Sequence, residues 1–296
     1  DETASLRELC AVVKKDLSFT GQFEPVVEFL PALSSKKDLL AYHEKGTPLL
    51  LSVIDDAKNN CVEWRLYDTK TAKMRSGKKL AKQGNLIRGW GHAVADQVVM
   101  VLTNHEGPFS SKLVYCKENL TAQKSIVCIA DYDGSNEQVL VNANSLIVAP
   151  RWNHDKQNPL VLYSEYTMEN LRLMVCDLKK KKKIAANFDG LNMLPAFSED
   201  GQHVVVCLSA GGSCQLYRYN FDKHKKRGQY HRLTDNTGNN LSPSIMKNGS
   251  ILFCSDYELN GPNIYTMNKD GGNVKRISEG GFCTSPTYCA AHNKVA

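Results

Sequence analysis

The spacing of apolar residues divides the chain into two parts. Helical spacing predicts helices over residues 6–17, 36–44 and 86–102, with Ser5 and Glu8 at capping-box spacing ahead of the first. Strand-like runs at residues 49–54 and 61–67 lie between the second and third helices. Beyond Lys112 the helical period disappears, and short strand-like runs separated by turn residues replace it. We therefore predict an α/β domain over residues 1–107 and an all-β domain over residues 112–296.

A proline recurs ahead of each group of strands in the second part. The four prolines lie 45, 48 and 43 residues apart, at Pro150, Pro195, Pro243 and Pro286. Each period divides into four predicted strands, which in the repeat from Pro195 cover residues 195–197, 203–208, 214–220 and 229–234. Four antiparallel strands in a period of about 45 residues are typical of a β-propeller blade.

The sequence contains about four blades. Three full periods follow Pro150, a fourth begins at Pro286, and hairpin-like runs over residues 113–141 precede them. An open blade edge exposes unpaired backbone groups, which a propeller avoids by closing its circle. We therefore expect a piece of a longer protein; the alternative is four blades that close compactly.

The net positive charge of the chain comes from two short clusters of basic residues. The net charge of +6 becomes −3 without the nine basic residues of two clusters, at residues 179–183 and 223–227. Both clusters fall at predicted hairpin tips, where solvated turns are the simplest interpretation and a basic rim facing anionic lipid or nucleic acid is the alternative. Such confined charge argues against a general nucleic-acid-binding surface.

The ten cysteines do not form a metal motif, because none belongs to a CxxC pair. Several lie in strand-like runs, where a free cysteine behaves as a small buried apolar side chain. We predict mostly reduced thiols, while a disulfide such as Cys116 with Cys128 remains open.

Catalytic signatures are absent from the sequence. It contains no GxSxG, HExxH or P-loop motif, and the glycines around Gly91 lack the strand context of a dinucleotide site. His92 and Asp96 are spaced to pair locally on one helix. Asp131, Asp133 and Gly134 fit a tight hairpin better than a calcium loop. We therefore predict a protein that is not an enzyme and has no metal or cofactor, and no run of apolar residues is long enough to span a membrane.

Several segments together resemble the TolB family, the periplasmic propeller proteins of the Tol-Pal cell-envelope system. They are residues 11–17, 21–25, 65–68, 91–98 and 129–134, together with the proline repeats. The resemblance covers nearly the whole chain, and the richness in lysine and cysteine is similar to a chlamydial member. It implies six blades, with about two missing after Ala296, and a first domain that begins after its opening strand. On this resemblance, we expect the segment that contacts TolA in the family to have no counterpart in the sequence given.

The resemblance also implies a docking site for the lipoprotein Pal. Segments at residues 187–194, 236–242 and 279–285 lead from one blade to the next and are rich in Asn, Gly and Ser. The candidate contact residues are Leu191, Asn192, Met193, Asn239, Asn240, Leu241, Thr284 and Ser285. The His and Thr that the family usually has before its blade prolines correspond to Leu191 and Leu241.

The resulting hypothesis is a monomeric, non-catalytic scaffold of the periplasm that binds Pal, with TolA as a further partner of the full-length protein. It would support outer-membrane integrity and envelope constriction at division, without binding nucleic acid or inserting into a membrane. The alternative is the gate domain of a prolyl-oligopeptidase-like serine peptidase, whose hydrolase domain would lie outside this chain.

Overall fold

A computed structural model describes most of the chain, in two compact units. The first comprises residues 1–112 and 131–135, and the second residues 113–130 and 136–296. The described residues are 2–29, 35–82, 87–119, 121–122, 124–153, 155, 157–187, 190–198, 200–201, 203–209, 212–220, 229–258, 261–289 and 293–296. The predicted basic cluster at residues 223–227 lies outside them. No helix within these ranges is long and apolar enough to cross a membrane.

The N-terminal unit contains three helices and an antiparallel sheet. Its elements are α1 (Glu2–Phe19), α2 (Lys36–Glu44), β1 (Leu49–Asp56), β2 (Cys61–Asp68), β3 (Lys73–Ala81) and α3 (Ile87–Thr103), with the sheet ordered β1-β2-β3. The predicted capping box is wrong, because α1 begins before Ser5. Strand β3 was not predicted, since its lysines and Gly77 interrupt the alternation of apolar and polar residues.

The core of this unit lies between α1, α3 and β2. Leu9, Trp64, Val94 and Phe109 are fully buried there. Gly91 lets the two helices approach closely, because a Cβ atom at this position would lie 2.8 Å from Val12 Cγ1. This packing explains the glycine without nucleotide binding.

The second unit contains up-and-down sheets in sequence order. The first has three strands, β4 (Lys112–Asn119), β5 (Lys124–Asp131) and β6 (Gln138–Ala143). Three sheets of four strands follow: β7 (Leu146–Trp152), β8 (Leu160–Tyr166), β9 (Leu171–Asp177) and β10 (Lys182–Ala186); β11 (Asn192–Phe197), β12 (His203–Leu208), β13 (Gln215–Asn220) and β14 (Gln229–Arg232); β15 (Asn240–Ile245), β16 (Ile251–Ser255), β17 (Asn263–Met267) and β18 (Lys275–Arg276). A last pair is β19 (Tyr288–Cys289) and β20 (Lys294–Val295). The predicted four-stranded blade is confirmed.

The first strand of each full blade starts before its proline, contrary to the prediction. Strand β11 begins at Asn192 and β15 at Asn240, and each pairing register shifts at the proline. The residue before the proline has positive φ in three repeats: 51° at Ala149, 50° at Ser242 and 55° at Ser285. Proline cannot donate to the ladder, so the strand continues past it through a bulge.

Neighbouring blades share apolar cores. Val205, Cys207 and Leu216 of one blade pack with Phe253 and Tyr265 of the next. Equivalent clusters join the preceding sheets in sequence. The inter-blade core thus fixes the ends of the first strands, where the candidate contact residues lie.

Candidate partner-binding site

The candidate contact residues lie at one edge of the blades. Successive strands are antiparallel, so the connection into each first strand and the turn between second and third strands lie at the same edge. We call residues 187, 190–191, 233–239 and 277–285 the mouth loops. They include Leu191, Asn239, Thr284 and Ser285 of the predicted site, and the other four residues follow in the first strands.

A buried amide network holds the middle mouth loop. Asn240 Nδ2 donates to Gln215 Oε1 at 3.1 Å and to Asn236 Oδ1 at 2.9 Å. Gln215 Nε2 in turn donates to the carbonyls of Asn236 and Gly238, at 2.8 and 3.1 Å. The Asn240 backbone N–H also donates to the carbonyl of Cys214 in the preceding blade, at 2.8 Å. Buried amides satisfied in this way fix the loop conformation.

Asn192 has the equivalent role one repeat earlier. Its Nδ2 donates to the carbonyl of Leu171 at 2.7 Å and to that of Gly190 at 3.2 Å. Asn192 and Asn240 are both fully buried. Their burial does not fit direct contact with a partner; instead, they tie each first strand to the blade before it.

The remaining candidates differ in exposure. Leu191 is 38% exposed, and Asn239, Thr284 and Ser285 are also exposed. Met193 and Leu241 are half-buried and pack against the core between blades. The accessible part of the predicted site is therefore mostly polar, and Leu191 is its exposed apolar side chain.

Phe282 is a further candidate that the sequence reasoning did not select. Its side chain is 81% exposed in the last mouth loop. The signal in the sequence is a phenylalanine directly after Gly280 and Gly281, far from any strand-like alternation. Met168, in the turn between β8 and β9 at the same edge, is fully exposed. Together with Leu191 these side chains offer apolar anchors.

The middle loop also packs on the turn that follows β16. The Asn239 N–H donates to Asp256 Oδ1 at 2.7 Å. Gly238 is required there, because a Cβ atom would lie 2.5 Å from Tyr257 Cα. Tyr257 donates to Glu258 at 2.7 Å, and burial together with this bond raises the pKa of Tyr257 to about 12. The phenol of Tyr257 therefore stays protonated at neutral pH.

A second cluster of polar groups lies within the N-terminal unit. His92 Nδ1 is 2.7 Å from Asp16 Oδ2, and Tyr132 donates to the other Asp16 oxygen at 2.7 Å. The predicted pair of His92 with Asp96 is wrong, because Asp96 accepts from the backbone N–H groups of Phe109 and Ser110. Burial and the bond to Asp16 raise the pKa of Tyr132.

The predicted Asp-Gly turn is confirmed at residues 131–135, with Gly134 at φ 81°. Its carboxylates are buried against cations: Arg88 lies 2.7 Å from Asp133 Oδ2, Lys15 contacts the same oxygen, and Lys112 contacts Asp131. Burial opposes ionisation, but the bonds from Lys15 and Ser135 and the charge of Arg88 outweigh it. The pKa of Asp133 therefore lies below its usual range.

These side chains could in geometry hold a metal ion. The ligand atoms of His92, Asp131 and Asp133 lie within 4.8 Å of one another. Arg88 and the two lysines already neutralise the carboxylates, however, and a divalent ion would have to displace them. The cluster is accounted for as an internal ion-pair network of the kind that ties buried segments together.

A family model decides the classification. The model described as the TolB beta propeller domain matches residues 99–296. The chain belongs to the TolB family. Of the curated TolB proteins, that of Rickettsia africae is 32% identical over 218 residues, and that of Rickettsia prowazekii is 30% identical over 219 residues. Both are named Tol-Pal system protein TolB.

The structural comparison agrees. The crystal structure of TolB from Acinetobacter baumannii superposes with a TM-score of 0.82 at 26% identity, covering 97% of this chain and 73% of that one. The Rickettsia africae match covers 70% of this chain but 48% of the relative, so the chain spans about half the length of the curated relatives it matches. The expected α/β domain followed by a TolB propeller is therefore confirmed.

The cysteines of this TolB-family chain are all free thiols in the structure, and all ten lie in the described residues. Cys176 and Cys207 are completely buried, and burial raises the pKa of Cys207. Such thiols are poor nucleophiles, because the reactive species is the thiolate.

Proposed function

We propose that this chain is a non-catalytic scaffold of a Tol-Pal system, located in the periplasm, whose mouth loops bind the lipoprotein Pal. Membership of the TolB family and the similarity to proteins named Tol-Pal system protein TolB support the assignment to this system. Through Pal the scaffold would support outer-membrane integrity and constriction at division. TolA would be a further partner of the full-length protein.

The observation that carries this proposal is the construction of the mouth loops. Buried amides fix the loops that lead into Asn192 and Asn240. Leu191, Phe282 and, in a turn at the same edge, Met168 are exposed apolar anchors, and Asn239 and Thr284 are exposed polar residues. Protein interfaces combine apolar anchors with a polar rim in this way, and a preorganised loop loses less entropy on binding.

The buried polar groups of the N-terminal unit give little support to a catalytic role. The buried acids and histidine of the N-terminal unit are taken up by ion pairs and hydrogen bonds. Recognition by contact, with no bond broken, is the role that these surfaces fit best.

Calorimetric titration of the native protein with Pal from the same organism tests the proposal. Leu191→Asp and Phe282→Asp should each weaken binding by about 30-fold, the effect of losing an interface anchor worth about 2 kcal/mol. The matched control is Val139→Asp, because Val139 is 42% exposed on β6, away from the mouth loops. Binding unchanged by both mouth variants, or weakened equally by the control, would contradict the proposal.

A further inference from the structure

The hairpin between β9 and β10 ends in a strongly basic segment. We call residues 178–184, Leu178 to Ile184, the basic tip. It contains five consecutive lysines, and all seven of its residues are exposed. Among the described residues none of these lysines forms an ion pair, in contrast to Lys15, Lys79 and Lys117 elsewhere in the chain. Within the described part of the chain, the lysine side chains of the tip are therefore open to solvent and to a partner.

The turn that carries the lysines is tightly built. The Asp177 N–H donates to the Lys181 carbonyl at 3.1 Å, and the Lys180 N–H donates to the Asp177 carbonyl at 3.0 Å. Asp177 Oδ1 also accepts from the Lys181 N–H at 2.8 Å. Asp177 is thus engaged by the backbone of the turn, which holds the neighbouring lysines outward.

Another blade has the same turn with a single lysine, Lys269, in place of the run of five. Asn268 and Gly272 form the corresponding backbone bond at 2.8 Å, and Gly271, with φ 89°, stands where the tip has Lys180. Lys180 adopts φ 63°, a left-handed conformation that costs a lysine more than a glycine. A lysine therefore occupies a position where the fold itself favours glycine.

Exposed apolar side chains flank the lysines. Leu178 is 48% exposed and Ile184 is 54% exposed. Ile184 and Lys182 point to the same side of β10, the outermost strand of its sheet, because side chains alternate along a strand. Charge and apolar surface are thus presented together at one tip.

We infer that the basic tip docks on the surface of a bilayer that contains anionic phospholipids. Lysine ammonium groups would contact the headgroup phosphates, while Leu178 and Ile184 would enter the boundary between headgroups and acyl chains. Each lysine near such a surface strengthens binding by about fivefold. The tip contains no aromatic residue on which bases could stack, so a single-stranded nucleic acid fits less well. This surface is separate from the mouth loops.

Vesicle co-sedimentation tests the inference. The native protein should sediment with vesicles of phosphatidylcholine and phosphatidylglycerol in equal parts, but not with phosphatidylcholine alone. Added salt should weaken the binding, because the charges are exposed. Equal sedimentation with both kinds of vesicle, or none with either at low salt, would overturn the inference.

The matched variant Lys179→Asp/Lys180→Gly gives the tip the Asp270-Gly271 sequence of the other turn. It should fold normally and bind anionic vesicles at least 25-fold more weakly, about fivefold for each lysine lost. The control Lys58→Asp/Lys70→Ser makes the same change in net charge at exposed positions of the N-terminal unit and should stay within about twofold of wild type. Equal losses in both variants would show a general charge effect and overturn the inference.

The apolar contribution separates a membrane from a soluble polyanion. Leu178→Ser/Ile184→Ser should also weaken vesicle binding, at unchanged net charge. If this variant binds vesicles like wild type, or if wild type binds polyphosphate or DNA but not vesicles, the membrane assignment is wrong.

Discussion

Two kinds of connection in the propeller repeat are built on opposite principles. The mouth loops are irregular, and buried side chains such as Asn240 and Gln215 hold them in place. One tight pattern of backbone hydrogen bonds closes the turn between β5 and β6, at residues 131–135, and the turns between the third and fourth strands of two full blades, at residues 177–181 and 268–272.

The difference shows which connection can change its surface freely. A turn closed by its own backbone tolerates different residues at its third position. Asp133 joins a buried ion-pair network, Lys179 belongs to the exposed basic tip, and Asp270 pairs with Arg218. A mouth loop closed by buried amides cannot vary in this way. Its shape is fixed, and only the exposed Leu191, Asn239, Phe282 and their neighbours can adapt to a partner.

The largest expected effect is at the amide network. Asn240→Ala leaves Gln215, Asn236 and two carbonyls without their partner and should lower the free energy of unfolding by about 3 kcal/mol. Urea unfolding measures this, with Thr284→Ala as the exposed control that should change it by less than about 0.5 kcal/mol. Equal effects of the two substitutions would show that the mouth loop does not depend on the network.

The acidic turn should show a distinct pH dependence. The pKa of Asp133 is lowered in the folded state, so its stabilisation is present above the ordinary aspartate pKa of about 4 and is lost as pH falls towards the folded value. Asp133→Asn should lower the free energy of unfolding by about 2 kcal/mol at neutral pH, a moderate loss because Arg88 and Lys15 are partly exposed. The variant should also lose less stability than wild type as the pH falls, because it lacks the titrating carboxylate. Urea unfolding between neutral and acid pH tests this, with Glu8→Gln as control. Parallel pH curves for the variant and wild type would contradict it.

Glycine positions test the shared turn. Gly271→Ala should cost between about 1 and 2 kcal/mol, because φ is positive and a Cβ atom would lie 2.4 Å from the Leu233 carbonyl oxygen. Gly134→Ala should cost about 1 kcal/mol, since open space surrounds that position. Lys180→Gly should instead stabilise by up to about 1 kcal/mol. Thermal unfolding ranks the three, and a destabilising Lys180→Gly would refute the common turn.

The rate at which each cysteine reacts should follow the exposure of its thiol, and this test needs no substitution. The exposed Cys289 should react first with a thiol reagent in the native protein, and Cys176 and Cys207 only on unfolding. Absorbance measures the rate of modification, and mass spectrometry identifies which cysteines have been modified at each stage. Early modification of Cys207 would indicate that the core between blades opens readily.

Local patterns made much of the fold predictable. The bounds of α2 and β12 match the prediction, because a clear helical run and an unbroken apolar run specify them. The first strands were placed too late, since a proline suggests a strand start and gives no sign of the bulge that carries the strand past it.

The sites were less predictable. His92 pairs with Asp16, 76 residues away, and no spacing within one helix can indicate a partner on another helix. The burial of Asn192 and Asn240 depends on the blade before each of them. The exposed contact residues remain predictions, and Phe282 joins them because its side chain is exposed in the structure.

The most direct test of the account measures both proposed surfaces in the same variants. Phe282→Asp should weaken binding to Pal by about 30-fold. Its binding to anionic vesicles should stay within about twofold of wild type. Lys179→Asp/Lys180→Gly should have the opposite effect, with Pal binding kept and vesicle binding lost. If either variant impairs both kinds of binding, or Phe282→Asp leaves Pal binding intact, the assignment of a protein partner to the mouth loops is contradicted.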